Sequence, residues 1–193
     1  MQRIILIIIG WLADRVLTQV ASPSEAVTLA AGLHVVPEFL GNRAPLADPH
    51  AKALIAGLGM ERDLDNLTAL YVAGLCGIGY GLRQIIDAQR ACGIESENIV
   101  ISGGAGQHPL VRQLLADACG VSVVSTANRE PGLLGSAILG AVAGSVAASL
   151  PEAMKQFTQV DATYHSETAF SPLHQRRYAA YKALQQAGRL IRE

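Results

Sequence analysis

Between Asn98 and Gly144 the chain alternates two short runs rich in β-branched residues with two longer apolar-periodic ones, and nothing else in it restricts the fold as tightly. NIVIS (98–102) and VSVVS (121–125) have strand length and composition, whereas 109–118 and 131–148 have the length and spacing of helices. Strands joined through helices pair in parallel, so the pattern predicts an α/β fold. VSVVS is apolar enough to lie inside the sheet.

The flanking segments add further elements. ASPSEAVTLAAG predicts a short helix capped by Ser22 or Ser24 and stopped by Gly32; LHVVPEF predicts a strand ended by Pro37. LGNRAPLADP is a loop, and HAKALIAGLGM fits either a helical turn or a strand. A long helix is expected from about Asp65 to Cys92, with Asp63 or Asp65 as its cap and Gly93 as its stop. Leu67, Leu70, Tyr71, Leu75, Ile78, Leu82, Ile85 and Ile86 trace its apolar face. Downstream come a helix near 151–157, a strand at VDATY and a last helix from about Pro172 to Ile191. That helix sets Tyr178, Tyr181 and Leu184 opposite Gln175, Arg176, Lys182 and Gln186. With no repeat, low-complexity tract or linker, residues 1–193 are expected to form a single unit.

Composition removes several classes of function. Half the residues are hydrophobic, 16% are charged and the net charge is -1, which suits a globular chain and leaves no basic footprint for nucleic acid. Cys76, Cys92 and Cys119 lack metal-ligand spacing and fit buried thiols in a reducing, cytoplasmic compartment. At the N-terminus, Ile4 to Ala13 are apolar or small, too few for a bilayer span of about 20 residues. The run could serve as a signal-peptide core, although no small-x-small site follows directly. A buried element is the plainer reading, because Trp11, Leu12, Val16 and Leu17 have helical spacing.

The junction VISGGAGQHPLVRQ carries the chemistry. Glycines ahead of a helix let a ligand approach bare backbone, and the helix start offers unpaired N–H groups and partial positive charge. No lysine follows as a P-loop requires. In a dinucleotide fingerprint begun at Gly104, the third glycine would fall on Pro109, and the next strand ends in Ser125 and Thr126 without an acid. A glycine-rich turn kept for packing alone fits the same residues.

Two further glycine patterns ask for close contacts. Gly74, Gly77, Gly79 and Gly81 lie inside the long helix and cost about 3–4 kcal/mol together relative to alanine. Close packing of backbone is the commoner compensation. In EPGLLGSAILGAVAGS, Gly135, Ser136, Ala137, Gly140, Ala141 and Gly144 form a small-residue face, expected to let its helix lie against the sheet beside the first glycine loop. The histidines show no HxxxH pair, and no metal site is assigned. Asp48, Asp63 and Asp65 fit caps and turns better than acid–base roles.

Four blocks in order resemble the C-terminal part of the FGGY carbohydrate kinases, and among them the D-ribulokinase-like pentulose kinases. They are LHVVPEFLGNRAPLADP, LDNLTALYVAGLCGIGYGLRQIIDA, VISGGAGQHPLVRQLLADACGVSVV and EPGLLGSAILGAVAGS. The resemblance implies the second domain of the actin-like ATPase, ribonuclease H-like fold, lacking its first strands and the sugar-binding domain. It implies ATP with Mg²⁺ as cofactor, a pentulose such as D-ribulose as acceptor, and no nucleic-acid or membrane partner. Ser102, Gly103, Gly104 and Ala105 become the adenosine-binding motif. The residue two before the loop's leucine, often asparagine in relatives and able to reach adenine, is His108 here.

The family's DxGT phosphate motif, its catalytic aspartate and the phosphate hairpin of its second domain have no counterpart in these residues. Phosphoryl transfer needs an in-line acceptor, a base and Mg²⁺ between phosphates. The chain alone is therefore expected to be catalytically silent, with no catalytic residue assigned in it, and a sheet lacking strands is expected to favour self-association. The competing expectation is a non-catalytic α/β binding or scaffolding module.

Overall fold

The computed structural model describes residues 15–102, 108–128 and 130–192. Helix α1 (Pro23–Leu29) starts where Ser22 Oγ accepts from the Glu25 amide at 3.2 Å and the Glu25 carboxylate accepts from the Ala21 amide. Strand β1 (His34–Val36) pairs antiparallel with β2 (Leu54–Ala56), which resolves the ambiguous HAKALIAGLGM segment as a strand. The long helix α2 spans Leu64–Ala91. Asp63 caps it, its carboxylate accepting from the Asn66 amide at 2.8 Å.

The second half builds a separate sheet. Strand β3 (Asn98–Ile101) leads to α3 (Pro109–Cys119), ended by Gly120 in the left-handed region, and then to β4 (Ser122–Thr126). β3 and β4 pair in parallel, and β5 (Val160–Tyr164) pairs antiparallel on the other side of β4. VSVVS is thus the central strand, as its composition predicts. Between β4 and β5 lie α4 (Pro131–Ala143) and α5 (Leu150–Phe157); α6 (Ser171–Leu190) follows β5.

Helix α2 is the spine of the core, and its buried side overlaps the expected face in part: Leu75 and Ile86 are buried, and Leu70, Tyr71 and Leu82 pack against the core. Ala69, Val72, Ala73, Cys76 and Tyr80 are buried, while Leu67 and Ile78 are 42% and 47% exposed. Small residues win because the neighbours approach to backbone distance. A Cβ on Gly77 would overlap the Val35 carbonyl of β1, and one on Gly79 would lie 2.6 Å from the Ala118 Cβ of α3. Among the described residues Gly74 meets nothing within 4 Å, so close packing explains Gly77 and Gly79 and leaves Gly74 unexplained.

Buried polar seams fasten α6 across this core. The Arg177 guanidinium donates to the Ala30 and Leu33 carbonyls at 2.8 Å each, closing the end of α1 and the turn before β1. Glu38 Oε1 accepts from both Asn42 and Gln185, and Gln185 exchanges hydrogen bonds with Gln84. The loop after β1 is therefore fixed from inside by α2 and α6. Its far end is held by Asp48, which accepts from Arg192 at 2.6 Å and faces Arg189 at 4.0 Å.

Three expectations need correction. The helix begun at Pro131 ends at Ala143 rather than 148, because Gly144 and then Ser145 at φ 59° turn the chain. Among the described residues its small-residue face does not pack on the sheet: α4 packs on α5 through Ile138, Ala147 and Ala153, and Cβ atoms at Gly135 or Gly140 would meet nothing within 4 Å, while the first glycine loop lies outside the described residues. Cys76 and Cys119 are buried, but Cys92 is exposed at the end of α2.

Two outcomes check this packing. Gly77→Ala should lower unfolding free energy by about 1–3 kcal/mol through overpacking, whereas Gly74→Ala should raise it by up to about 1 kcal/mol; urea titration measures both. The Arg192 guanidinium holds the Asp48 carboxyl down to about 2. A carboxylate with a depressed folded-state pKa stabilises the fold above its unfolded value and loses that contribution as pH falls through the folded one. Carbon-detected NMR should show Asp48 titrating near 2, and nearer the ordinary aspartate value of about 3.9 in Arg192→Ala.

Candidate nucleotide-binding site

The parallel pair β3–β4 brings two strand-to-helix junctions to one edge of the sheet. In open α/β sheets the carboxyl ends of parallel strands are where ligands bind, because helix N-termini converge there. The first junction runs from Ile101 through exposed Ser102 to α3. The second runs from Thr126 to α4, where Asn128 Oδ1 accepts from the Glu130 amide at 2.8 Å. Glu130, the N-cap residue of α4, makes no side-chain cap hydrogen bond to that helix.

His108 has a structural task. It is the N-cap of α3, its Nδ1 accepting from the Leu110 amide at 3.2 Å. Pro109 at the first helical position has no N–H to satisfy, so the cap goes to the first amide that needs it. An unprotonated Nδ1 leaves Nε2 as the ring's proton carrier. Gly103, Gly104 and Ala105, the remaining members of the expected adenosine motif, lie outside the described residues. Among the described residues, no group of three or more His, Cys, Asp or Glu side chains is placed to hold a metal.

Helix α3 is stitched to the sheet by a charge bridge. Arg112 pairs with Asp161 of β5 at 3.2 Å, and buried Ser125 of β4 donates to the same carboxylate oxygen at 3.2 Å. The Arg112 guanidinium also sits 5.7 Å from the Tyr164 ring centre. Sequence reasoning did not find a mostly apolar groove of about 360 Å³ alongside His108, Pro109, Leu110 and Gln113, closed by Val20 and Tyr164. Its walls come from segments far apart in the chain, so no local signal marks it.

The family model for the C-terminal domain of the FGGY carbohydrate kinases matches residues 7–144, and the chain belongs to that family. It is 36% identical over 158 residues to an FGGY carbohydrate kinase domain-containing protein of Danio rerio, covering 82% of this chain and 29% of that protein. A D-ribulokinase of Saccharomyces cerevisiae is 35% identical over 120 residues, 62% of this chain and 17% of the other. A glycerol kinase of Alcanivorax borkumensis is 31% identical over 185 residues, 90% and 35% respectively. Among solved structures, a xylulose kinase from Brucella ovis superposes with a TM-score of 0.69 at 22% identity, over 86% of this chain and 35% of that one. Plasmodium falciparum glycerol kinase with ADP gives 0.63 at 23% identity, over 92% and 36%. These neighbours carry the actin-like ATPase fold of sugar kinases, and the chain has part of it. It spans 17–35% of the length of the relatives described.

The cap role of His108 is directly testable. His108→Ala should lower stability by about 1 kcal/mol and loosen the start of α3, read as faster amide exchange at Leu110 and Val111. His108→Asn, a strong cap in its own right, should restore both.

Proposed function

We propose that this chain supplies the nucleotide-binding part of an ATP-dependent carbohydrate kinase that phosphorylates a pentulose such as D-ribulose. The observation that carries the reading is the convergence of the α3 and α4 N-termini at the carboxyl edge of β3–β4, behind a glycine-rich segment, in a chain of the FGGY family. Ser102, Gly103, Gly104 and Ala105 would pass under the adenosine, with His108 bordering it. ATP would arrive with Mg²⁺ on its phosphates, the metal supplying charge neutralisation between them. The similarity to a D-ribulokinase supports the pentulose, while the glycerol kinase match shows that acceptors vary among relatives.

The chain's own contribution is to bind and orient nucleotide; the base that deprotonates the sugar hydroxyl and the groups that hold the sugar are assigned to other parts of the enzyme. The isolated chain is therefore silent toward D-ribulose. Three free cysteines, two of them buried, fit a cytoplasmic setting. Among the described residues β3 lies at the edge of its sheet, and an unpaired strand edge supports self-association of the isolated chain.

Calorimetric titration with ADP and Mg²⁺ tests the reading. Heat should appear with the parent chain and fall by at least about tenfold in affinity for Gly104→Val, whose side chain would occupy the space of the nucleoside. Heat in neither protein would leave the glycine segment as a packing device in a non-catalytic module. Turnover of D-ribulose by the isolated chain would overturn the division of labour.

A further inference from the structure

Strand β5 carries an irregularity beside the carboxyl edge of β4. Its register pairs Ala162 with Ser125 and Val160 with Thr126, so Asp161 between them is skipped. A residue bulged out of a ladder has its side chain re-aimed, and such bulges are over-represented next to active sites. Here the re-aimed carboxylate reaches two elements at once. Asp161 Oδ2 lies 3.2 Å from the Arg112 guanidinium and accepts from Ser125 Oγ at 3.2 Å.

Both partners stand where the parallel strands hand over to their helices. Arg112 belongs to the first turn of α3, and its backbone N–H donates to the His108 carbonyl at 3.2 Å. Ser125 is the last residue but one of β4, just ahead of the turn into α4. The bridge therefore runs from the start of one helix to the end of the strand that delivers the other. A cation in the first turn of a helix opposes the helix dipole, so Arg112 is held there by Asp161 and not by α3 itself.

A fully exposed ion pair would restrain little. This one is anchored on its inner side: Ser125 is 1% exposed, and the Arg112 side chain is 11% exposed with its guanidinium over the Tyr164 ring. Only Asp161, at 50%, meets water. Packing does not supply the same restraint. Pro109 is exposed and Leu110 half-buried, and the groove of about 360 Å³ runs beside this turn towards Pro23 and Tyr164. Close-packed burial in α3 starts only at Val111 and Leu114.

We propose that Asp161, Arg112 and Ser125 are positioning residues for the nucleotide: they fix the gap between the N-termini of α3 and α4, and with it the affinity for a nucleoside diphosphate. The inference rests on the nucleotide reading above and gives none of the three a contact with the ligand. In calorimetric titration of the whole chain, Asp161→Ala should weaken ADP with Mg²⁺ by about threefold to tenfold. The charge-reversed pair, Arg112→Asp with Asp161→Arg, should recover most of that loss, because the Ser125 hydroxyl accepts as well as it donates. Without nucleotide, amide exchange should quicken in Asp161→Ala at both Arg112 and Leu134, which donate to the His108 and Glu130 carbonyls, and slow again in the reversed pair. A bridge that serves stability alone would lower the urea midpoint of Asp161→Ala and leave ADP affinity and the Leu134 amide as in the parent; that result overturns the proposal. So does a reversed pair that binds no better than the single variant, as a direct contact from Arg112 to phosphate would give. No ADP heat in the parent overturns both readings of the site, whereas equal affinity in the parent and Asp161→Ala overturns this one alone.

Discussion

The structure depends on how closely α2 can approach its neighbours. Gly77 brings the helix backbone onto the Val35 carbonyl of β1, and Gly79 brings it onto Ala118 of α3, so one helix locks the antiparallel pair β1–β2 to the βα units that follow. Two helix-interior glycines cost about 2 kcal/mol in propensity. Their return is dispersion and apolar burial over a core that includes Val72, Cys76, Leu114 and Val123. Because α3 is seated through this contact, the orientation of its N-terminus at the carboxyl edge of β3–β4 follows from packing at its other end.

Polar interactions refine what that packing allows. Arg177 reaches two carbonyls at the end of α1, and Gln185 joins Glu38 to Gln84, so α6 spans both halves of the chain through groups that would be costly to leave unpaired. Desolvation has a chemical consequence in the same core: it pushes the Cys76 thiol up to about 11, leaving it unreactive at neutral pH. Among the described residues this satisfaction is incomplete at Arg177 Nε, His174 Nε2 and Asp117 Oδ2, each buried without a partner.

Local rules carried the element assignments a long way. Ser22 and Asp63 act at helix starts because capping depends on residues within one turn. VSVVS reads as an inner strand from its β-branched composition, and β4 is the middle strand of its sheet, burying Val123 and Ser125 on one face. His108 was legible as a residue at the glycine junction, though its service as a cap was not, since histidine is not among the usual capping side chains. The Arg112–Asp161–Ser125 bridge and the groove beside His108 join residues dozens of positions apart and left no mark in any short window.

The sequence by itself determined the α/β alternation and the family, because strand length, glycine placement and helix caps are local properties of the chain. Tertiary structure alone decided how far round α2 the buried side extends. Leu75 and Ile86 of the expected face are buried, and Ala69, Val72, Ala73 and Cys76 join them because Gly77 and Gly79 draw neighbouring elements to backbone distance. It also decided that the small face of α4 stays open, since Ile138 found its partners on α5 and no neighbour among the described residues came close enough to use the glycines.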